Sequence, residues 1–126
     1  MPDWNEYKQA AQARGSLALE LFVIESTPIT PEKLAETLPA HLAYQAEQEN
    51  SGTLAFAGPL SDESGEQMNG SGLIIYRADS MEAARAIADA DPMHANGVRN
   101  YTLRKWMINE GSLQLDLKLS AQRVRL

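Results

Sequence analysis

The sequence predicts an α+β protein of ferredoxin-like architecture, an antiparallel sheet with two helices on one face. Three observations carry this. Apolar patterning along the 126 residues runs strand, helix, strand, strand, helix, strand. The extended runs carry apolar residues on both faces, so each face needs a cover. No internal repeat or linker divides the chain. A single domain over 1–126 follows, with a core at about 17–108, an N-terminal helix within 1–15, and an extra strand with a tail in 112–126.

The first helix is expected over residues 3–14, with Asp3 as its cap, Trp4, Tyr7, Ala11 and Arg14 on one side, and Gly15 at its C-terminal end. It either arches over a partner or pocket, or packs Trp4 and Tyr7 on its own domain. Residues 17–25 alternate as a strand with two apolar faces. Glu20 is the exception there, facing either a cavity or solvent. After a loop with two prolines, 32–38 reads as a short helical segment, and Pro39 kinks or restarts the helix through 39–50. His41 then stands in the first turn of the restarted helix, at the edge of the Leu42–Ala46 stripe, with Gln45 beside it and Tyr44 one turn on.

A second strand is expected over 53–57, broken by Gly58 and Pro59, followed by a long polar connection over 61–71. Gly70-Ser71-Gly72 lacks the length and context of a phosphate loop and reads as a turn. Residues 73–78 form a third strand and 99–108 a fourth, the latter carrying Tyr101 and Trp106, either core, interface or pocket residues. Leu113, Leu115, Leu117 and Leu119 keep a strict period of two, a half-buried fifth strand hairpinned to the fourth, and 122–126 reads as a mobile tail.

The stretch 80–97 organises the second half. Ser80 caps a helix whose stripe is Met81, Ala84, Ile87 and Ala88, and Asp91-Pro92 ends it. Asp91 is held at the helix end with its carboxylate free to point away, and Gly97 closes the loop where a positive φ is needed.

Composition limits the functions. There are 17 acidic and 11 basic residues, a net charge of −6, which disfavours binding to phosphate backbones or anionic membranes. The absence of cysteine removes disulfides, thiolate zinc sites and thiol nucleophiles, and fits a cytoplasmic protein. No leader-like or membrane-spanning apolar run is present. With two apolar sheet faces and helices for only one, a homodimer through sheet faces is expected.

Leu38-Pro39-Ala40-His41-Leu42-Ala43-Tyr44, Ala57-Gly58-Pro59-Leu60, the stretches 80–84 and 88–92, and Gly97 at its distance from them resemble the YciI-like (YCII-related) family of the dimeric α/β-barrel superfamily. The likeness spans about 17–106. It implies a dimer, and it implies a pair in a small pocket between a helix histidine and an aspartate preceding proline, which fall on His41 and Asp91. Most members have no assigned activity; one type is a dehydrochlorinase acting on a chlorinated hydroxyhydroquinone. His94 departs from the small or apolar residues common after Asp-Pro-Met, and the N-terminal helix and last strand are not typical.

An imidazole gives and takes protons near neutral pH, and a carboxylate on one ring nitrogen sets its tautomer. The expected chemistry is therefore elimination or isomerisation of a small molecule, with His41 as general acid/base and Asp91 orienting it. Tyr44 and Ser26 are candidates to orient a substrate oxygen, and Gly58 and Pro59, from the matched stretch, to line the pocket. No cofactor is expected. Other readings stay open: a structural His41–Asp91 staple between helices, a metal held by His41, Asp91 and His94, a non-catalytic binding or sensing module, and a domain for assembly alone.

Overall fold

The structure, a computed structural model, describes residues 1–126. Its elements are α1 (Trp4–Ala13), β1 (Leu19–Pro28), a tight turn (Pro31–Lys33), α2 (Leu34–Asn50), β2 (Leu54–Ser61), β3 (Met68–Tyr76), α3 (Met81–Ala90), α4 (Pro92–Ala95), β4 (Arg99–Ile108), β5 (Asp116–Lys118) and β6 (Arg123–Arg125). The first four strands form one sheet in the order β2-β3-β1-β4, and β3 pairs antiparallel with both β1 and β2. This is the ferredoxin-like α+β arrangement expected from the order of elements.

Two compact units make up the chain, Glu20–Trp106 and the combination of Met1–Leu19 with Met107–Leu126. In the larger unit the register sets Ile24 beside Ile74 and Phe22 beside Tyr76. Ile24, Ile74, Tyr76 and Ala88 form its buried core, with Leu54, Ile87, Tyr101 and Leu103 packed against them. Side chains alternate along strands, so Val23, Ile75 and Phe56, aligned in register across three strands, occupy the opposite sheet face. Phe56 is 52% exposed there.

Several local expectations are corrected. Pro39 does not restart the helix: α2 is continuous from Leu34 to Asn50, and His41 stands well inside it. An internal proline costs roughly 3 kcal/mol. Anchors on both sides oppose that cost: Thr37 is buried, and beyond Pro39 the Tyr44 hydroxyl donates to the Ile87 carbonyl at 2.6 Å. Gly58-Pro59 does not break β2, because β2 lies at the sheet edge, where a missing backbone donor is tolerated. The connection after β2 is shorter than expected. Asp62 organises it by accepting from the Ser64 amide at 3.1 Å and the Ser64 hydroxyl at 2.6 Å, and β3 already begins at Met68.

Gly70 sits within β3 at φ +82°, and a Cβ there would come within 2.7 Å of Pro28 Cγ. Only glycine meets both demands.

In the smaller unit Asp3 caps α1, accepting from the Glu6 amide at 2.8 Å. Trp4 and Tyr7 pack against Ala11, Ala18 and Met107. The expected leucine strand is not half-buried and does not hairpin with β4. Leu113, Leu115, Leu117 and Leu119 are all more than half exposed, and only Asp116–Lys118 is extended. It pairs with Arg123–Arg125, in the segment expected to be a mobile tail.

Candidate functional site

The site begins with the end of α3. Ser80 caps that helix by accepting from the Ala83 amide at 3.0 Å. Asp91 then takes an extended conformation, φ −63° and ψ 126°, as the residue before a proline prefers. Its carboxylate is not free, as the sequence had implied. Proline at the first helical position and aspartate at the cap start a second, four-residue helix, and Asp91 Oδ1 accepts from the Met93 amide at 2.9 Å.

Asp91 is fully buried, and His41 from α2 reaches it. His41 Nδ1–H donates to both carboxylate oxygens, at 2.8 Å to Oδ1 and 2.9 Å to Oδ2. Gln45, one turn further along α2, adds a long contact from Nε2 to Oδ2 at 3.4 Å. Burial by itself would raise the Asp91 pKa. The hydrogen bonds from His41 and Met93, with the attraction of the nearby imidazoles, outweigh burial and hold it below the ordinary carboxylate value. The ionised aspartate thus fixes the proton on Nδ1 and leaves Nε2 as the nitrogen able to accept one.

His41 lines a cleft of about 400 Å³ between α2 and the sheet. Leu38 and Leu42 flank it on the helix, while Ala57, Gly58, Pro59 and Ile74 form its floor. Gly58 and Pro59 thus line the cleft that His41 lines. Gly72 lets the floor strands close up, since a Cβ there would meet the Gly58 carbonyl oxygen at 3.0 Å.

Two other candidates do not reach the cleft. The Tyr44 hydroxyl is committed to the Ile87 carbonyl, and burial, followed by the Asp91 charge, raises its pKa. Ser26 is fully buried and bonded to His94 Nε2 at 2.7 Å. His94 Nδ1–H donates to the Ala88 carbonyl at 2.7 Å, so in the neutral ring Nε2 accepts from the Ser26 hydroxyl. Burial lowers its pKa accordingly. With both nitrogens engaged inside the fold, His94 does not join His41 and Asp91 as a ligand set, and no three His, Asp or Glu side chains gather as a metal site. Glu20 points neither into the cleft nor freely into solvent; it lies 3.8 Å from Lys105.

Sequence reasoning missed Arg99 and underused Gln45. Gln45 stands four residues after His41, and helical spacing alone predicts that the two share a partner. Arg99 heads an alternation with Tyr101 and Leu103, which pack against the core, so period two places a cation on the inner face of the sheet. Arg99 lines the cleft. The Tyr76 hydroxyl and Gln45 Oε1 are also buried beside the pair, and neither has a hydrogen bond of good geometry. Burial, reinforced by the Asp91 charge, raises the Tyr76 pKa well above its ordinary value.

Comparison with known proteins gives three findings. The sequence profile of the YCII-related domain matches residues 4–107. The uncharacterised protein YjpA of Bacillus subtilis (strain 168) is 35% identical over 57 residues, which is 45% of this chain and 60% of that protein, less than two thirds of its length. Among solved structures, the 5-chloro-2-hydroxyhydroquinone dehydrochlorinase TftG of Burkholderia phenoliruptrix AC1100, in complex with 2,5-dihydroxybenzoquinone, superposes with a TM-score of 0.51 at 22% identity, covering 68% of this chain and 92% of that one. At that identity the likeness concerns the fold. No helix is long and apolar enough to cross a membrane.

Proposed function

The chain belongs to the YCII-related domain family, and on that premise we propose that it is a small-molecule enzyme using His41 and Asp91 as a general acid/base pair. The observation that carries the reading is the bond from His41 Nδ1 to both oxygens of a fully buried, ionised Asp91, beside a cleft with apolar walls. Nε2 takes a proton from a C–H or O–H group of the bound substrate. In an elimination, the electron pair of the broken C–H bond forms a new double bond, and the leaving group departs with its own pair. In an isomerisation, the imidazolium returns the proton to a different atom. Asp91 stabilises the transient cation, and neither route needs a nucleophile or a covalent intermediate.

The dehydrochlorinase with its bound dihydroxybenzoquinone supports a single oxygenated ring as the ligand class. A cleft of about 400 Å³ accommodates a molecule of that size. We also propose that the protein is a homodimer, with the sheet face that exposes Phe56 covered by the same face of a second copy, and that it works in the reducing cytoplasm, which suits a chain without cysteine.

Incubation with a panel of small oxygenated and halogenated ring compounds, followed by product analysis, tests the proposal. Turnover by the wild type that disappears in His41→Ala, with the far-UV circular dichroism unchanged, is the expected result. Thermal stabilisation by a compound that is never converted would instead identify a binding or sensing module. Turnover that persists without the imidazole removes His41 from the chemistry.

A further inference from the structure

One cation in the cleft is not neutralised within the chain. Arg99 begins β4 immediately after the Gly97–Val98 turn, and its side chain lines the cleft that His41 lines. Its Nε is buried without a hydrogen-bond partner, and no carboxylate forms an ion pair with the guanidinium. The negative charge that acts on it is that of Asp91. That carboxylate is already saturated: Oδ1 accepts from His41 and the Met93 amide, and Oδ2 from His41 and Gln45. Burial disfavours the charged guanidinium, and Asp91 opposes this only in part.

A partly desolvated cation without a counter-charge is unfavourable unless something else completes it. The guanidinium presents several donors in a planar fork that matches a carboxylate or another oxyanion. The remaining walls are mainly hydrocarbon, from Leu38, Leu42, Leu54, Met68 and Ile74, and Glu49, which also lines the cleft, forms no ion pair with Arg99. We infer that Arg99 is an anion-binding residue of this cleft, and that its ligand is a small, largely apolar molecule carrying one anionic oxygen, a carboxylate or an ionised phenol or enol. The inference rests on the reading of the cleft as a ligand site but not on turnover. If proton abstraction does occur at His41, Arg99 holds the oxygen on which negative charge grows, a stabilisation that strengthens in a site shielded from water.

Titration calorimetry on the full chain at about pH 8.5, where benzoic acid and 4-nitrophenol are both ionised, tests this with benzoate, its neutral counterpart benzamide, and 4-nitrophenolate. The wild type binds at least one of the two anions, and more tightly than benzamide. Arg99→Gln weakens that binding about tenfold or more, leaves benzamide unchanged, and Arg99→Lys recovers part of the loss. Dependence on Arg99 for benzoate identifies a carboxylate ligand, and dependence for nitrophenolate alone identifies a phenol or enol. Arg99→Gln binding every anion that the wild type binds just as tightly overturns the inference, as does benzamide bound as tightly as benzoate and nitrophenolate, or no saturable binding of either anion below about 10 mM. His41→Ala keeps anion binding in this scheme. A failed proton-transfer proposal with Arg99-dependent binding intact is thereby distinguished from a failed anion site.

Discussion

His41 and Asp91 are 50 positions apart in the chain, yet one imidazole nitrogen stands 2.8 and 2.9 Å from the two oxygens of that carboxylate. The aspartate is fully buried and the histidine ring 13% exposed, so the contact has a closed side and an open side. The closed side sets the tautomer, and the open side meets the cleft. This asymmetry separates the pair from a surface ion pair, which contributes little and shields nothing.

Catalytic dependence on the pair is testable with two substitutions. His41→Ala removes the proton acceptor and is expected to lower turnover by roughly 10²–10⁴-fold. Asp91→Asn keeps the shape but removes the charge that holds the Nδ1 proton, and a loss of similar size is expected in kcat rather than KM. Steady-state kinetics on any converted compound decides both, and an Asp91→Asn variant with wild-type kcat rejects the orienting role.

Stability separates the two jobs of Asp91. Asp91→Ala loses the cap on Met93 along with the partner of His41, and is expected to destabilise by about 2–3 kcal/mol in urea unfolding. Asp91→Asn retains an oxygen for the Met93 amide and is expected to lose about half as much. Equal losses in the two variants argue that capping contributes nothing.

Acid sensitivity follows from the two shifted groups. The native pKa of His94 lies below its ordinary 6.5, chiefly through burial. The unfolded chain therefore binds that proton more readily, and the stability from neutral His94 is complete above about 6.5 and lost as pH falls toward the native value. Asp91 is depressed below 3.8, because its hydrogen bonds outweigh the opposing effect of burial. Its contribution is complete above that value and lost as pH falls through the lower native one. Urea midpoints measured against pH should decline from about 6.5 downward and again below about 4. His94→Gln should remove the upper decline and leave the lower; an unchanged upper decline assigns it to another group.

Gly70→Ala places a Cβ at φ +82° within 2.7 Å of Pro28 Cγ. A destabilisation of about 2 kcal/mol is expected, combining left-handed backbone strain with the clash. Gly58→Ala, where a Cβ meets open space, serves as the control in the same urea titration. Matching midpoints for the two variants contradict the strain argument.

The proposed dimer has its own variant. Phe56→Asp puts a charge in the row with Ile75 and Val23, and sedimentation should report a monomer where the wild type reports a dimer. A wild type that sediments as a monomer excludes this assembly.

The chain by itself determined the order of strands and helices, the caps at Asp3 and Ser80, the stop at Asp91-Pro92 and the positive φ of Gly97, because each depends on neighbours a few residues away. The likeness of its short motifs to one family added His41 and Asp91 as partners. Tertiary structure decided everything that local preference misjudged. It carried α2 through Pro39 because contacts from other elements hold the helix on both sides. It let Pro59 stay in a strand because that strand is an edge. It left the Leu113–Leu119 alternation exposed, since a period of two identifies an extended pattern and not the surface that would cover it. It engaged Ser26 and Tyr44 elsewhere and brought Arg99 to the cleft, because a polar side chain's role depends on which groups remain unsatisfied around it, and those belong to distant parts of the sequence.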